Sequence, residues 1–83
     1  MSLKPIDKHH FYLNDQLIDL VWIAHKAGRQ TNAANYHDIN RSLSWLNKLA
    51  SRLLAGEIRN DDERGVRKRL AILGLEWYLD EEK

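Results

Sequence analysis

The stretch NYHDINRSLSWLNKLASRLLAG, residues 35–56, has the clearest periodicity in the chain. Its apolar side chains recur every three or four positions, which is the spacing of one face of an α-helix. Charged residues such as Asp38 and Lys48 fall on the opposite face. The stretch therefore predicts an amphipathic helix over about 35–55, closed by Gly56 just after the last turn. The apolar stripe consists of Tyr36, Ile39, Leu43, Leu46, Ala50, Leu53 and Leu54.

The segment before this helix has related spacing and predicts another helix over about 6–27. One apolar stripe runs from Ile6 through Leu13 and Leu20 to Ala24. A second stripe, roughly 100° away on the helical wheel, contains Phe11, Ile18, Trp22 and His25. The two stripes together make an apolar arc wider than contact with a single neighbouring helix requires.

The segment after it predicts a third helix over about 61–80. Its first turn is acidic, which suits the positive end of a helix dipole. Gly74 falls inside the apolar part, where glycine costs about 1 kcal/mol relative to alanine. A close helix crossing would offset that cost. Two apolar stripes lie on nearly opposite sides, one made of Val66, Leu70, Leu73 and Trp77 and the other of Ile72, Leu75 and Leu79.

These segments predict an all-α protein, a three-helix bundle with residues 1–83 as a single domain. Strands are not expected, because the chain has little sustained alternation, few β-branched residues and no recognised hairpin dipeptide. Three short helices cannot bury two apolar faces each within one copy. We therefore expect a helical homodimer whose self-association surface contains Ile72, Leu75 and Leu79 with Phe11, Ile18 and Trp22.

Composition limits the function classes. The 83 residues carry a formal net charge of +1 and no cysteine, which excludes disulfides and cysteine-based zinc sites. A run of roughly 18 apolar residues, as a membrane span needs, is missing from the sequence, so we expect a soluble, cytoplasmic protein without a membrane partner. Neither a metal nor a cofactor is expected, because the histidines at 9, 10, 25 and 37 match no ligand motif.

Catalysis has little support in the sequence. The glycines at 28, 56, 65 and 74 are isolated, so they form no phosphate-binding loop. Asp15 and Asp19 are four residues apart, but on a polar face where exposed carboxylates are ordinary. Paired carboxylates need a cleft that shifts their pKa values before they catalyse proton transfer. We therefore expect a non-enzymatic interaction module that acts as an adaptor, inhibitor or regulator by protein–protein contact.

Two surfaces are candidates for contact with a partner. Trp45 lies off the apolar stripe of its helix, and tryptophan and arginine are enriched at interfaces. This predicts a contact patch, with the alternative that Trp45 packs against the N-terminal segment or a loop of its own chain. The patch consists of Trp45, Arg41, Leu49 and Arg52.

The second candidate is the basic face of the third helix. Its side chains could contact phosphates, alone or together with Arg41 and Lys48, which makes a nucleic-acid-binding regulator the alternative function. The acidic residues at 61–63 weaken this field, and a salt-bridged, solvated face explains the same pattern. A helix-turn-helix motif is disfavoured because the loop before Tyr36 is too long. The basic residues are Arg64, Arg67, Lys68 and Arg69.

Overall fold

The computed structural model describes residues 3–29 and 36–75. It has an α+β fold, in which a three-stranded antiparallel sheet precedes three helices. The predicted all-α three-helix bundle is therefore wrong. The elements are β1 (Leu3–Asp7), β2 (His10–Leu13), β3 (Gln16–Asp19), α1 (Leu20–Arg29), α2 (Tyr36–Leu54) and α3 (Asp62–Ile72).

The error lies mainly in the N-terminal segment, where the predicted helix over 6–27 is replaced by strands and a short helix. Burial alternates along β2 and β3: Phe11 is buried, Tyr12 is exposed, and Ile18 is buried beside exposed Leu17. Such alternation is typical of a sheet with one face on the core. Asn14, at φ 58, occupies the two-residue connection between β2 and β3. Asparagine tolerates this left-handed conformation better than most residues.

Strand register places the apolar side chains on one face of the sheet. Leu3 lies opposite Leu13 on the β1–β2 pair, and Phe11 lies opposite Ile18 on the β2–β3 pair. These four side chains are almost fully buried, and α2 packs against β1. Pro5 is tolerated because β1 is an edge strand, where one side of the backbone needs no ladder hydrogen bond.

One hydrophobic core joins the sheet to all three helices. Ile23 of α1, Leu46 of α2 and Val66 of α3 all lose their exposed surface within it. Phe11, Ile18 and Leu75, which we expected on a self-association surface, are also fully buried there. Their apolar surface is thus used inside one copy. Phe11 and Ile18 face the core because the first segment folds as a sheet, and Leu75 is buried just after the end of α3.

The predicted helix over 35–55 is confirmed to within a residue at each end. The start of α3 at Asp62 also agrees with the sequence, but α3 ends at Ile72 and not near residue 80. Gly74, at φ 76, terminates it: the Gly74 amide donates to the Ala71 carbonyl and the Leu75 amide to the Leu70 carbonyl. This is a Schellman cap, so Gly74 is not a helix-interior residue. Trp77 and Leu79 lie outside the described residues.

Candidate interaction groove

A groove of about 550 Å³ separates the exposed sides of α2 and α3. Four cationic side chains line it, Arg41 and Lys48 from α2 and Lys68 and Arg69 from α3. Trp45 and Ile72, both half-buried, supply its apolar surface. The packing of two helices thus brings together residues that are twenty or more positions apart in the sequence.

Trp45 lies across α3 and helps to form the groove. A Cβ atom placed on Gly65 would clash with Cη2 of the Trp45 ring and lie 2.7 Å from its Cζ2. Only glycine leaves room for the indole at this helix crossing. Trp45 therefore packs against α3, a contact within its own chain that the sequence did not predict.

Arg69 lies over the same indole ring. Its guanidinium carbon is 4.4 Å from the ring centroid of Trp45, which is within the range of a cation–π contact. This contact restricts the arginine while its remaining donors can still reach the groove. Trp45 consequently orients a charge at the groove as well as contributing apolar surface.

The groove is locally cationic although the chain is nearly neutral. Among the described residues that line the groove, Asp38 is the one acidic residue. The same lining contains four cationic side chains and the imidazole of His37. The acidic first turn of α3 acts elsewhere: Glu63 accepts from the Arg67 guanidinium at 3.3 Å. The acidic residues at 61–63 therefore do not line the groove.

The structure divides both sets of residues that the sequence predicted as contacts. From the Trp45 patch, Arg41 lines the groove, whereas Leu49 is fully buried in the core. From the basic face, Lys68 and Arg69 line the groove, while exposed Arg64 and paired Arg67 do not.

Two residues predicted for self-association keep exposed surface. Ile72 lines the groove. Trp22 is 38% exposed, and the Lys26 ammonium lies 6.0 Å from the centroid of its ring.

Arg52, the fourth residue of the Trp45 patch, forms an ion pair that fixes the position of α3 against α2. Its Nη2 and Nη1 donate to the Asp62 carboxylate at 3.1 and 3.4 Å, and the Arg59 amide donates to the same carboxylate at 2.7 Å. Burial alone would raise the pKa of Asp62, but the hydrogen bonds from Arg52 and Arg59 outweigh it and lower the pKa. The sequence does not predict this pair, because only the tertiary fold brings the two residues together.

A second polar cluster connects the sheet to α1. His10 Nδ1 lies 2.8 Å from Asp7 Oδ1, and its Nε2 lies 3.3 Å from Asp19 Oδ1. Asp19 also caps α1 by accepting hydrogen bonds from the Val21 and Trp22 amides at 3.0 and 3.1 Å. The hydrogen bond to Asp7 raises the pKa of His10, while the His9 amide and then His10 lower the pKa of Asp7.

This cluster has the geometry of a structural anchor. Within residues 3–29 and 36–75, no group of three or more histidine or acidic side chains is arranged to hold a metal ion. The described helices also include none that is long and apolar enough to cross a membrane. The groove between α2 and α3, with its four cations around Trp45, is the candidate functional site.

Comparison with known proteins adds no further guide. No family model matches the chain, and no curated protein or solved structure matches it significantly.

Proposed function

We propose that this protein is a non-enzymatic interaction module that binds an acidic surface of another protein through the groove between α2 and α3. The observation that carries this proposal is the convergence of four cations from two helices around Trp45. Complementary charge steers two partners together and selects against wrong ones. A small adaptor, inhibitor or regulator requires such a contact and no catalytic cleft.

A protein partner is favoured over nucleic acid by the rest of the molecule. Domains that bind nucleic acid are usually strongly basic, whereas this chain carries a net charge of only +1. The apolar surface of Trp45 and Ile72 within the groove also suits a partner that presents apolar side chains among its carboxylates. Phosphate backbones present no such side chains.

Nucleic-acid binding remains the second candidate, because one observation favours it. Arg64 and Arg67 are exposed on α3, the helix that also supplies Lys68 and Arg69 to the groove. A nucleic acid that followed α3 would meet all four basic residues. Such binding would fall steeply with salt as counterions are released.

Self-association and the cellular compartment stay as proposals. Of the residues predicted to form the homodimer interface, Trp22 is exposed and Ile72 is partly exposed, so both are available for contact with a second copy. Sedimentation equilibrium at tens of micromolar tests it, and a monomer there contradicts it. A reducing compartment such as the cytoplasm fits a chain without cysteine.

Binding of acidic peptide and of duplex DNA, measured by fluorescence anisotropy at low and physiological salt, tests the proposal. The informative variant is Lys48→Glu/Lys68→Glu. Its matched control is Lys4→Glu/Lys8→Glu, which changes the net charge equally on β1 and the following turn. We expect the peptide to bind the wild type and the control, and to lose affinity for the groove variant. Tighter, salt-sensitive binding of DNA would support the second candidate.

A further inference from the structure

We infer that the element bound in the groove is an acidic amphipathic α-helix of a partner protein. This inference rests on the proposed function and specifies the conformation of the segment that docks. It follows from the arrangement of apolar surface between two cationic walls, with Arg41 and Lys48 on one side and Lys68 and Arg69 on the other.

The spacing of the cations matches a helix. Arg41 and Lys48 are seven residues apart on α2, which is about 10.5 Å along the helix axis. Two carboxylates seven residues apart on a docked helix have the same separation. Asn40 and Ser44, which also line this wall, are small and polar and allow a helix backbone to approach.

The opposite wall offers charge next to an apolar contact. Lys68 and Arg69 precede Ile72 by one turn of α3, so the three side chains lie on one face of that helix and line the groove. Arg69 is already oriented by its contact with Trp45. A partner side chain such as leucine would contact Trp45 and Ile72, while glutamates on both sides of it would meet the two walls.

The walls also argue against an extended segment. A strand gains its affinity by pairing with the main chain at the edge of a sheet. This groove lies between two helices and contains no sheet edge, and beyond the first turn of α2 the backbone groups along both helices are paired within them, so the groove offers mainly side chains. An amphipathic helix docks by its side chains, with apolar anchors at three- and four-residue spacing.

The test uses the full chain and a labelled synthetic peptide of about 18 residues, roughly five helical turns. The peptide carries leucines on one stripe and glutamates on both flanks. Three matched peptides replace a central residue with proline, the glutamates with glutamine, or the leucines with serine. Anisotropy gives the affinities, and far-UV circular dichroism reports the helix gained on binding.

We expect each altered peptide to bind at least about tenfold more weakly than the parent, since each removes helix, charge or anchor. Lys48→Glu/Lys68→Glu should weaken the parent peptide by a similar factor, and Lys4→Glu/Lys8→Glu should not. Circular dichroism of both variants verifies that they are folded.

The outcomes separate this inference from the proposed function. Equal binding of the proline and parent peptides, both sensitive to the groove variant, overturns the helix and leaves the proposed function standing. Binding of duplex DNA without binding of any peptide overturns both. Peptide affinity that is the same for Lys48→Glu/Lys68→Glu and the wild type also overturns both. Binding that appears only after Asp80, Glu81 and Glu82 are neutralised would identify the chain's own acidic segment as the occupant and overturn a partner helix.

Discussion

Replacing Asp62 with alanine is expected to destabilise the protein more than any other single change to a carboxylate among the described residues. Asp62 is 2% exposed and begins α3. It accepts hydrogen bonds from Nη1 and Nη2 of the Arg52 guanidinium and from the Arg59 amide. The substitution removes all three hydrogen bonds at once and leaves the Arg52 charge without its partner.

The magnitude follows from the burial of the pair. Removing one member of a buried ion pair costs about 3–5 kcal/mol. Arg52 keeps 21% of its side-chain exposure, so water can reach it after the change and the lower end applies, about 3 kcal/mol. For a domain of this size each kcal/mol shifts Tm by about 4–8 °C. Asp62→Ala should therefore lower Tm by about 12–24 °C.

Thermal and urea unfolding followed by circular dichroism measure this effect. Asp61→Ala is the matched control, because Asp61 is exposed and its side chain makes no capping hydrogen bond. It should cost less than about 1 kcal/mol, the value of a charge at a helix end. Asp62→Asn should fall between the two, since the amide oxygen can still accept from the Arg59 amide.

The pH dependence supplies an independent check. Because the pKa of Asp62 is lowered in the folded state, its contribution is present above the ordinary value of 3.8 and is lost as pH falls through the folded pKa. The difference in unfolding free energy between wild type and Asp62→Asn should therefore decrease as the pH falls through the folded pKa of Asp62. A Tm for Asp62→Ala within a few degrees of Asp61→Ala would refute the reasoning.

Three further predictions concern backbone and charge. Gly65→Ala should destabilise by about 1–3 kcal/mol in urea unfolding, because its methyl group meets the Trp45 ring; an unchanged midpoint would contradict that packing. Gly74→Ala should cost about 1–2 kcal/mol for a side chain at φ 76, and an unchanged Tm would argue against the cap. The raised pKa of His10 gives stability that is full below its ordinary 6.5 and lost as pH rises through the folded value. The lowered pKa of Asp7 gives stability that is present above 3.8 and lost as pH falls. The extra stability over His10→Gln should thus peak between these values, and a flat difference from pH 3 to 9 would contradict the anchor.

The helix α2 was predictable because its periodicity extends over five turns and Gly56 follows it. The N-terminal strands were not, because each spans only four or five residues. Over so short a length, apolar residues at 11, 13, 17, 18 and 20 fit a helical wheel as well as two strands joined by a turn. The signal that separates the two is Asn14–Asp15, a hairpin connection that was not recognised.

The end of α3 carried a signal that was interpreted in the wrong direction. Gly74 lies between apolar neighbours, which made it resemble a residue inside a helix. Glycine after the last turn, with buried residues four places before and one place after it, is the pattern of a Schellman cap. Leu70 and Leu75 fill those two positions and are fully buried.

The candidate site was predictable in part. The sequence assigned Trp45 and Arg41 to one surface and Lys68 and Arg69 to another, and it offered Arg41 and Lys48 as an extension of the second. Their convergence depends on how α2 crosses α3, which a helical wheel does not contain. Gly65 leaves the space that the Trp45 indole occupies where the two helices cross. This role of Gly65 depends on the tertiary structure and cannot be predicted from the sequence.

The most direct test of the groove is a ¹H–¹⁵N NMR titration of the full chain with the acidic amphipathic peptide. We expect the largest chemical-shift changes on both walls of the groove, at Arg41, Ser44, Lys48, Lys68 and Arg69, and we expect the Trp45 indole NH to shift with them. Changes centred on the exposed sheet face at Tyr12 and Leu17, or no saturable change, would contradict it.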